Sequence, residues 1–247
     1  MGAASLERAE RIADWLDGRA DDVVALTETS AGAGTGLMMG RLAARGFHVV
    51  TRPAGTDRGA LLAIRATQVV DITAQLGSTM PWRSPAAQLQ MADGPMGVVA
   101  VYAPSRNRRD GRAERKREFF SSLTQGLAVL RERFDGRLVV LGDHNSVPRD
   151  HLPAHAGFTS WEYQWHDDLQ DLGLRNVHAV LDREQPYSWV GRTGNAYLYD
   201  YAHIGDGLGG SVADFSYLAD SRALGLSDHA AVSARLDSPT AARTIVS

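Results

Sequence analysis

Five polar signatures stand at the ends of strand-like apolar runs in this sequence. They are Glu28 after VVAL, Tyr102 in VVAVYAP, Asp143 and Asn145 in LVVLGDHN, Asp200 in YLYDYAHI, and Asp228 with His229 in GLSDHAAV. Continuous Val, Leu and Ile is the pattern of a strand buried on both faces. A carboxylate or carboxamide at the mouth of such a strand costs desolvation unless a partner compensates it. Five such sites in one chain point to strand ends that converge on one polar site. Carboxylate and amide oxygens are the ligands of a hard cation, Mg²⁺ or Mn²⁺. A histidine beside them can move a proton or stabilise charge. That inventory suits metal-assisted attack on a phosphate.

Other residues compete for a chemical role. Arg106, Arg108, Arg109, Arg112, Arg115, Lys116 and Arg117 form a dense basic run in a chain of net charge −3. The run directly follows VYAP, at the expected edge of the site. Arg106, Arg108, Arg109 and Lys116 are therefore candidates for phosphate contacts along DNA, against the plainer reading of a solvated loop and helix face. Trp161, Trp165 and Trp189 could stack on bases or a sugar, although core packing is the commoner job for any one of them. His144, His151 and His155 match no recognised zinc spacing. The Gly-rich SAGAGTG lacks the Lys-Ser/Thr ending of a nucleotide-binding phosphate loop.

The positioning elements follow from periodicity. Ser5 to about Arg19 reads as a helix, with Ser5 as its cap and Leu6, Ala9, Ile12, Ala13 and Leu16 on one face. Further helices are expected over Leu37–Arg45 and Ala113–Phe134. Strands are expected at Asp22–Leu26, Phe47–Thr51, Ala60–Ile64, Ala87–Met91, Gly97–Ala103, Leu138–Leu141, Ser188–Val190, Tyr199–Ile204 and Ala230–Leu236. No linker or repeat divides the 247 residues, so one domain over 1–247 is expected, with a frayed tail after about Ser238. Strands with helices at intervals imply a layered α/β domain with sheets packed face to face.

Composition narrows the class. A hydrophobic content of 44% with 22% charged residues is that of a soluble globular protein, and no apolar run is long enough to span a membrane. The start MGAASLERAERIADW has no apolar signal-type core. Cysteine is absent, which excludes disulfides and thiolate metal sites. A cytoplasmic protein, most simply a monomer, is expected.

The ordered set LTE, VYAP, GDHN, YDYAHI and SDH, from about Asp21 to Leu236, resembles the endonuclease/exonuclease/phosphatase superfamily, with its exonuclease III-like and DNase I-like branches. Any one of these motifs is weak, but five in order at strand ends are specific. The resemblance implies a four-layered α/β sandwich, two packed, mostly antiparallel β-sheets flanked by helices, with the site at one end. It implies a Mg²⁺- or Mn²⁺-dependent phosphodiesterase, most simply a nuclease cleaving DNA. By the same resemblance Glu28 and Asp228 would hold metal, and Asp143 would orient or deprotonate the attacking water. Asn145 would hold a phosphate oxygen or the metal, and His229 would contact the scissile phosphate with Asp200 bonded behind it. Tyr102 would donate to the phosphate or the leaving oxygen, as in the exonuclease III branch, and Trp189 would touch substrate. The alternatives are a phosphatase or phosphodiesterase acting on a lipid or small phosphoester, and a weakened non-catalytic binding protein. Two departures from the pattern bear on these. Family members usually begin with a core strand whose Asn enters the site, whereas here Met1 falls just before the first helix; loss of that strand would expose neighbouring backbone. The Arg often found shortly before the Asp of the fourth motif is replaced by Tyr197-Leu198-Tyr199.

Overall fold

The computed structural model describes residues 5–105, 111–155, 157–181, 186–237 and 243–246, the last four by backbone alone. The chain opens with α1 (Leu6–Asp17), capped as expected by Ser5, whose hydroxyl accepts from the Arg8 N–H at 3.2 Å. Then come β1 (Val23–Thr29), α2 (Ala33–Ala44), β2 (His48–Thr51), β3 (Gly59–Ile64), β4 (Val69–Asp71), β5 (Ala86–Met91), β6 (Gly94–Tyr102), α3 (Arg112–Arg133) and β7 (Leu138–Asp143). The second half holds α4 (Ser160–Asp171), β8 (Leu174–Asn176), β9 (Trp189–Val190), β10 (Ala196–Tyr197), β11 (Asp200–Gly205), β12 (Val212–Leu218), β13 (Ala231–Leu236) and β14 (Arg243–Val246).

Two six-stranded sheets result, ordered β12-β13-β14-β1-β3-β2 and β4-β5-β6-β7-β11-β8, with β9 and β10 forming a separate ribbon. Only the β1–β14 and β6–β7 pairs are parallel within the six-stranded sheets. Side chains alternate between faces. Val23, Ala25, Leu62, Ile64, Val98, Ala100, Val139 and Leu141 meet between the sheets. Val24, Leu61 and Ala63 turn outward onto α1 and α2, and Val99, Val101 and Val140 onto α3 and α4. Helix, sheet, sheet and helix thus make the four expected layers. Burial on both faces explains why these strands read as unbroken apolar runs.

The structure differs from two expectations. Instead of fraying, β14 inserts between β1 and β13, antiparallel to β13 and parallel to β1 at Val23 and Val24. The helix α2 also starts earlier than expected, at Ala33 inside the Gly-rich loop, because Gly34 and Thr35 bury there beside Met38 and Leu42. That packing outweighs the helix cost of glycine, about 1 kcal/mol.

Candidate active site

Strand register builds the floor of the site. In the parallel β6–β7 pair Tyr102 stands opposite Asp143. In the antiparallel β11–β7 pair Asp200 stands opposite Asp143 from the other side. Three site residues therefore lie in one row across adjacent strand ends. Gly142 makes this close pairing feasible: its φ is +136°, and a Cβ there would sit 2.1 Å from the Val101 carbonyl oxygen.

The facing sheet and its loops supply the rest. A register shift in β1 between Leu26 and Thr29, with Glu28 at φ 58°, turns the Glu28 carboxylate toward the row. There it accepts from the Tyr102 hydroxyl at 3.3 Å and from Arg58 at 2.5 Å. Asp228 and His229 sit just before β13, where His229 bridges to Trp189 and the Ala230 N–H donates to the Ser188 carbonyl. The Ser188 hydroxyl in turn accepts from the N–H groups of Tyr199 and Asp200. Trp189 donates its indole N–H to Asp228 at 3.3 Å. His229 Nδ1 lies 2.7 Å from Asp200 Oδ2.

Asn145 follows Asp143 in a left-handed conformation, φ 46°, which Asn tolerates better than most residues. Its backbone N–H donates to Asp143 Oδ1 at 2.8 Å. Its amide nitrogen donates to Asp143 Oδ2 at 3.0 Å and to the Ala103 carbonyl at 2.9 Å. Both amide protons are thus engaged, and the side chain turns only an acceptor, Oδ1, to a ligand.

The electrostatics separate the titrating groups. Burial and then the charge of Asp200 push Asp143 up from 3.8 to about 7. Burial disfavours the imidazolium of His229, but the charge and hydrogen bond of Asp200, with Asp143 and Asp228 behind, raise it to about 10. Burial, with Glu28 and Asp143 adding to it, raises the Tyr102 phenol to about 12. Arg83 packs its guanidinium on the Tyr102 ring, 4.6 Å from the centroid, and donates to the Tyr102 carbonyl.

These residues face a cleft of about 480 Å³, walled by Trp189, Tyr199, Phe158 and His155. Trp189, Tyr197 and Tyr199 form a cluster of mutually adjacent rings, and His155 stacks on Phe158 with ring centroids 3.7 Å apart. The donor set is hard: carboxylates (Glu28, Asp143, Asp200, Asp228) and an amide oxygen, with the cations Arg58, Arg83 and His229 among them. Hard oxygen donors of this kind suit a divalent cation such as Mg²⁺. Among the described residues no three carboxylate or imidazole groups are close enough to hold one ion together. Mg²⁺ keeps most of its waters and needs only one or two carboxylates, and Glu28 and Asp228 both line the cleft.

A profile of the Endonuclease/Exonuclease/phosphatase family matches residues 2–229. The chain belongs to this family. Its members are phosphoester hydrolases, nucleases and phosphatases among them. No curated protein is similar enough in sequence to match the chain. Solved structures are similar in fold. The 3′-5′ exonuclease from Neisseria meningitidis superposes with a TM-score of 0.77 at 24% identity, covering 95% of this chain and 96% of that one. A Neisseria 3′ phosphatase bound to product DNA hairpin gives 0.76 at 23%, over 94% and 95%. An AP endonuclease from Archaeoglobus fulgidus gives 0.76 at 18%, over 95% and 96%.

The fold brings Glu28, Tyr102, Asp143, Asn145, Asp200, Asp228, His229 and Trp189 together around one cleft. Arg106, Arg108 and Arg109 lie outside the described residues. Lys116 is a correction: it is fully buried, not a phosphate contact, and pairs with Glu162 at 2.9 Å. Trp165 is core, stacked on Phe120 at 4.6 Å. His151 accepts the Leu198 N–H, and its other ring nitrogen lies 2.9 Å from the Pro153 carbonyl. Sequence reasoning missed Arg58, Arg83, Tyr199 and Phe158. Nothing local marks Arg58, which follows a plain loop and reaches the site only because β3 lies beside β1.

Proposed function

We propose that this protein is a divalent-cation-dependent phosphodiesterase that hydrolyses DNA, acting as a single-domain monomer. The observation that carries the reading is the row Tyr102–Asp143–Asp200 facing Glu28 and His229. Asp143, raised to about 7, is a stronger base than an ordinary carboxylate and is matched to taking a proton from water near neutral pH. The water oxygen then attacks phosphorus in line as the ester oxygen departs. His229, held as the imidazolium by Asp200, turns its Nε2–H to the phosphate and offsets the charge that builds there. Tyr102 stays protonated and donates to a phosphate or leaving oxygen. Asn145, having no amide proton to spare, accepts through Oδ1 and so orients the water or a cation rather than donating to phosphate. Glu28 and Asp228 would hold Mg²⁺ or Mn²⁺, which neutralises phosphate charge when bound. The aromatic wall suits base stacking, in keeping with the DNA hairpin bound by the Neisseria 3′ phosphatase.

The test is a substrate panel of plasmid, abasic-site oligonucleotide, single strand and bis-p-nitrophenyl phosphate, with Mg²⁺, Mn²⁺ or EDTA. Metal-dependent cleavage of at least one DNA substrate is expected. Full activity in excess EDTA, or hydrolysis of the small diester with every DNA untouched, would overturn the reading.

A further inference from the structure

The mechanism leaves unused the most deeply buried charge pair described. Lys116, on the first turns of α3, and Glu162, at the start of α4, are both fully buried. An ion pair of this kind gains little over apolar packing, because desolvation offsets the attraction. Its geometry points to another use. Lys116 Nζ donates 2.7 Å to the carbonyl of Asn145 and 2.9 Å to Glu162 Oε1. The ammonium also lies over the Phe158 ring, 4.8 Å from its centroid. Glu162 Oε2 accepts the Thr159 N–H at 3.0 Å and closes the capping box of α4. One ammonium therefore holds the peptide after Asn145, the residue in left-handed backbone, together with the wall that carries Phe158 and His155.

We infer that the Lys116–Glu162 pair is a positioning device for the reaction proposed above: it locks the Asp143–Asn145 turn to the Phe158 wall, so that the base and the substrate surface keep one spacing. Lys116 is fully buried and acts on the site through Asn145.

The variant Lys116→Met/Glu162→Gln removes both charges together and keeps a capping-box glutamine. The expected result is a Tm within a few degrees of the parent. Amide hydrogen exchange in a peptide covering 143–147 should rise about tenfold, with β6 and β5 peptides unchanged. Cleavage should lose about 10–100-fold in kcat with little change in KM, the scale of a misplaced catalytic group. Lys116→Arg, which keeps a charged donor, should recover part of kcat. Unchanged exchange at 143–147, or kcat within twofold of the parent, would overturn the inference. So would exchange rising evenly over the molecule in both variants, which is the mark of a folding role alone. Inactivity of the parent protein on every substrate would instead sink the functional reading, while the exchange measurement still tests the tether.

Discussion

Replacing Asp200 by Asn should slide the whole pH profile toward acid. The carboxylate sits 2.7 Å from His229 Nδ1 and is only 6% exposed. An ion pair at about 4 Å in an effective dielectric near 20 is worth about 4 kcal/mol, or about three pKa units. Burial opposes the cation in both forms and cancels in the difference, while Asn keeps an acceptor for the Nδ1–H, so a fall of about two to three units from about 10 is expected. In the proposed reaction His229 acts as the cation, so activity should be lost as pH rises through its pKa, and that limb should move down by the same amount. Asp200 also raises Asp143, after burial, from the opposite position on β7. Activity is lost as pH falls through the Asp143 value, and with the neighbouring charge gone this limb moves down too, by about 0.5–1 unit. One substitution thus shifts both limbs in one direction and narrows the window between them. The assay is kcat/KM against pH on a chromogenic diester, with the His229 ring titrated independently through its ¹³Cε1 shift in NMR. If the imidazole of Asp200→Asn still titrates near 10, Asp200 is not what holds the cation, and the proposed role fails.

Further outcomes follow from the same geometry. Asp143→Asn should cut kcat by about 10²–10⁴-fold, and a kcat within about twofold of the parent where chemistry is rate-limiting would refute the base role. His144, His166 and His203 are buried and held below their ordinary pKa, first by burial. The unfolded chain therefore binds more protons below about pH 6.5, so stability is complete above that pH and falls beneath it by up to about 1.4 kcal/mol per unit for each histidine; urea midpoints that stay level from pH 7.5 to 5 would exclude it. Gly142→Ala places a Cβ 2.1 Å from the Val101 carbonyl oxygen and should destabilise by several kcal/mol, so an unchanged thermal midpoint would show that β6 and β7 can separate freely.

How much was legible in the sequence differs from residue to residue. The central strands announce themselves because both of their faces are buried, and Ser5 marks the start of α1 because an orphan N–H there needs a local acceptor. The helix α4 is different: SWEYQWHDDLQD hides because two of its buried positions are Glu162 and His166, polar residues whose partners Lys116 and Ser146 are remote in sequence. The edge strand β12 is only partly buried along most of its length and carries little pattern, and β14 acquires its ladder only from β1 and β13, at the far end of the chain from one of them.

The sequence by itself determined which chemistry is available: carboxylates, an amide, a tyrosine and a histidine at strand ends, with no thiol anywhere. Those residues could be read because a polar group closing an apolar run is a local anomaly. Tertiary structure alone decided their partners. Register set Asp143 between Tyr102 and Asp200, packing brought Arg58 to Glu28, and burial took Lys116 out of the basic run and turned it onto Asn145. Charge, burial and hydrogen bonding depend on neighbours that are distant in the chain, and so the pKa of each group, and with it the division of labour in the site, is a property of the fold.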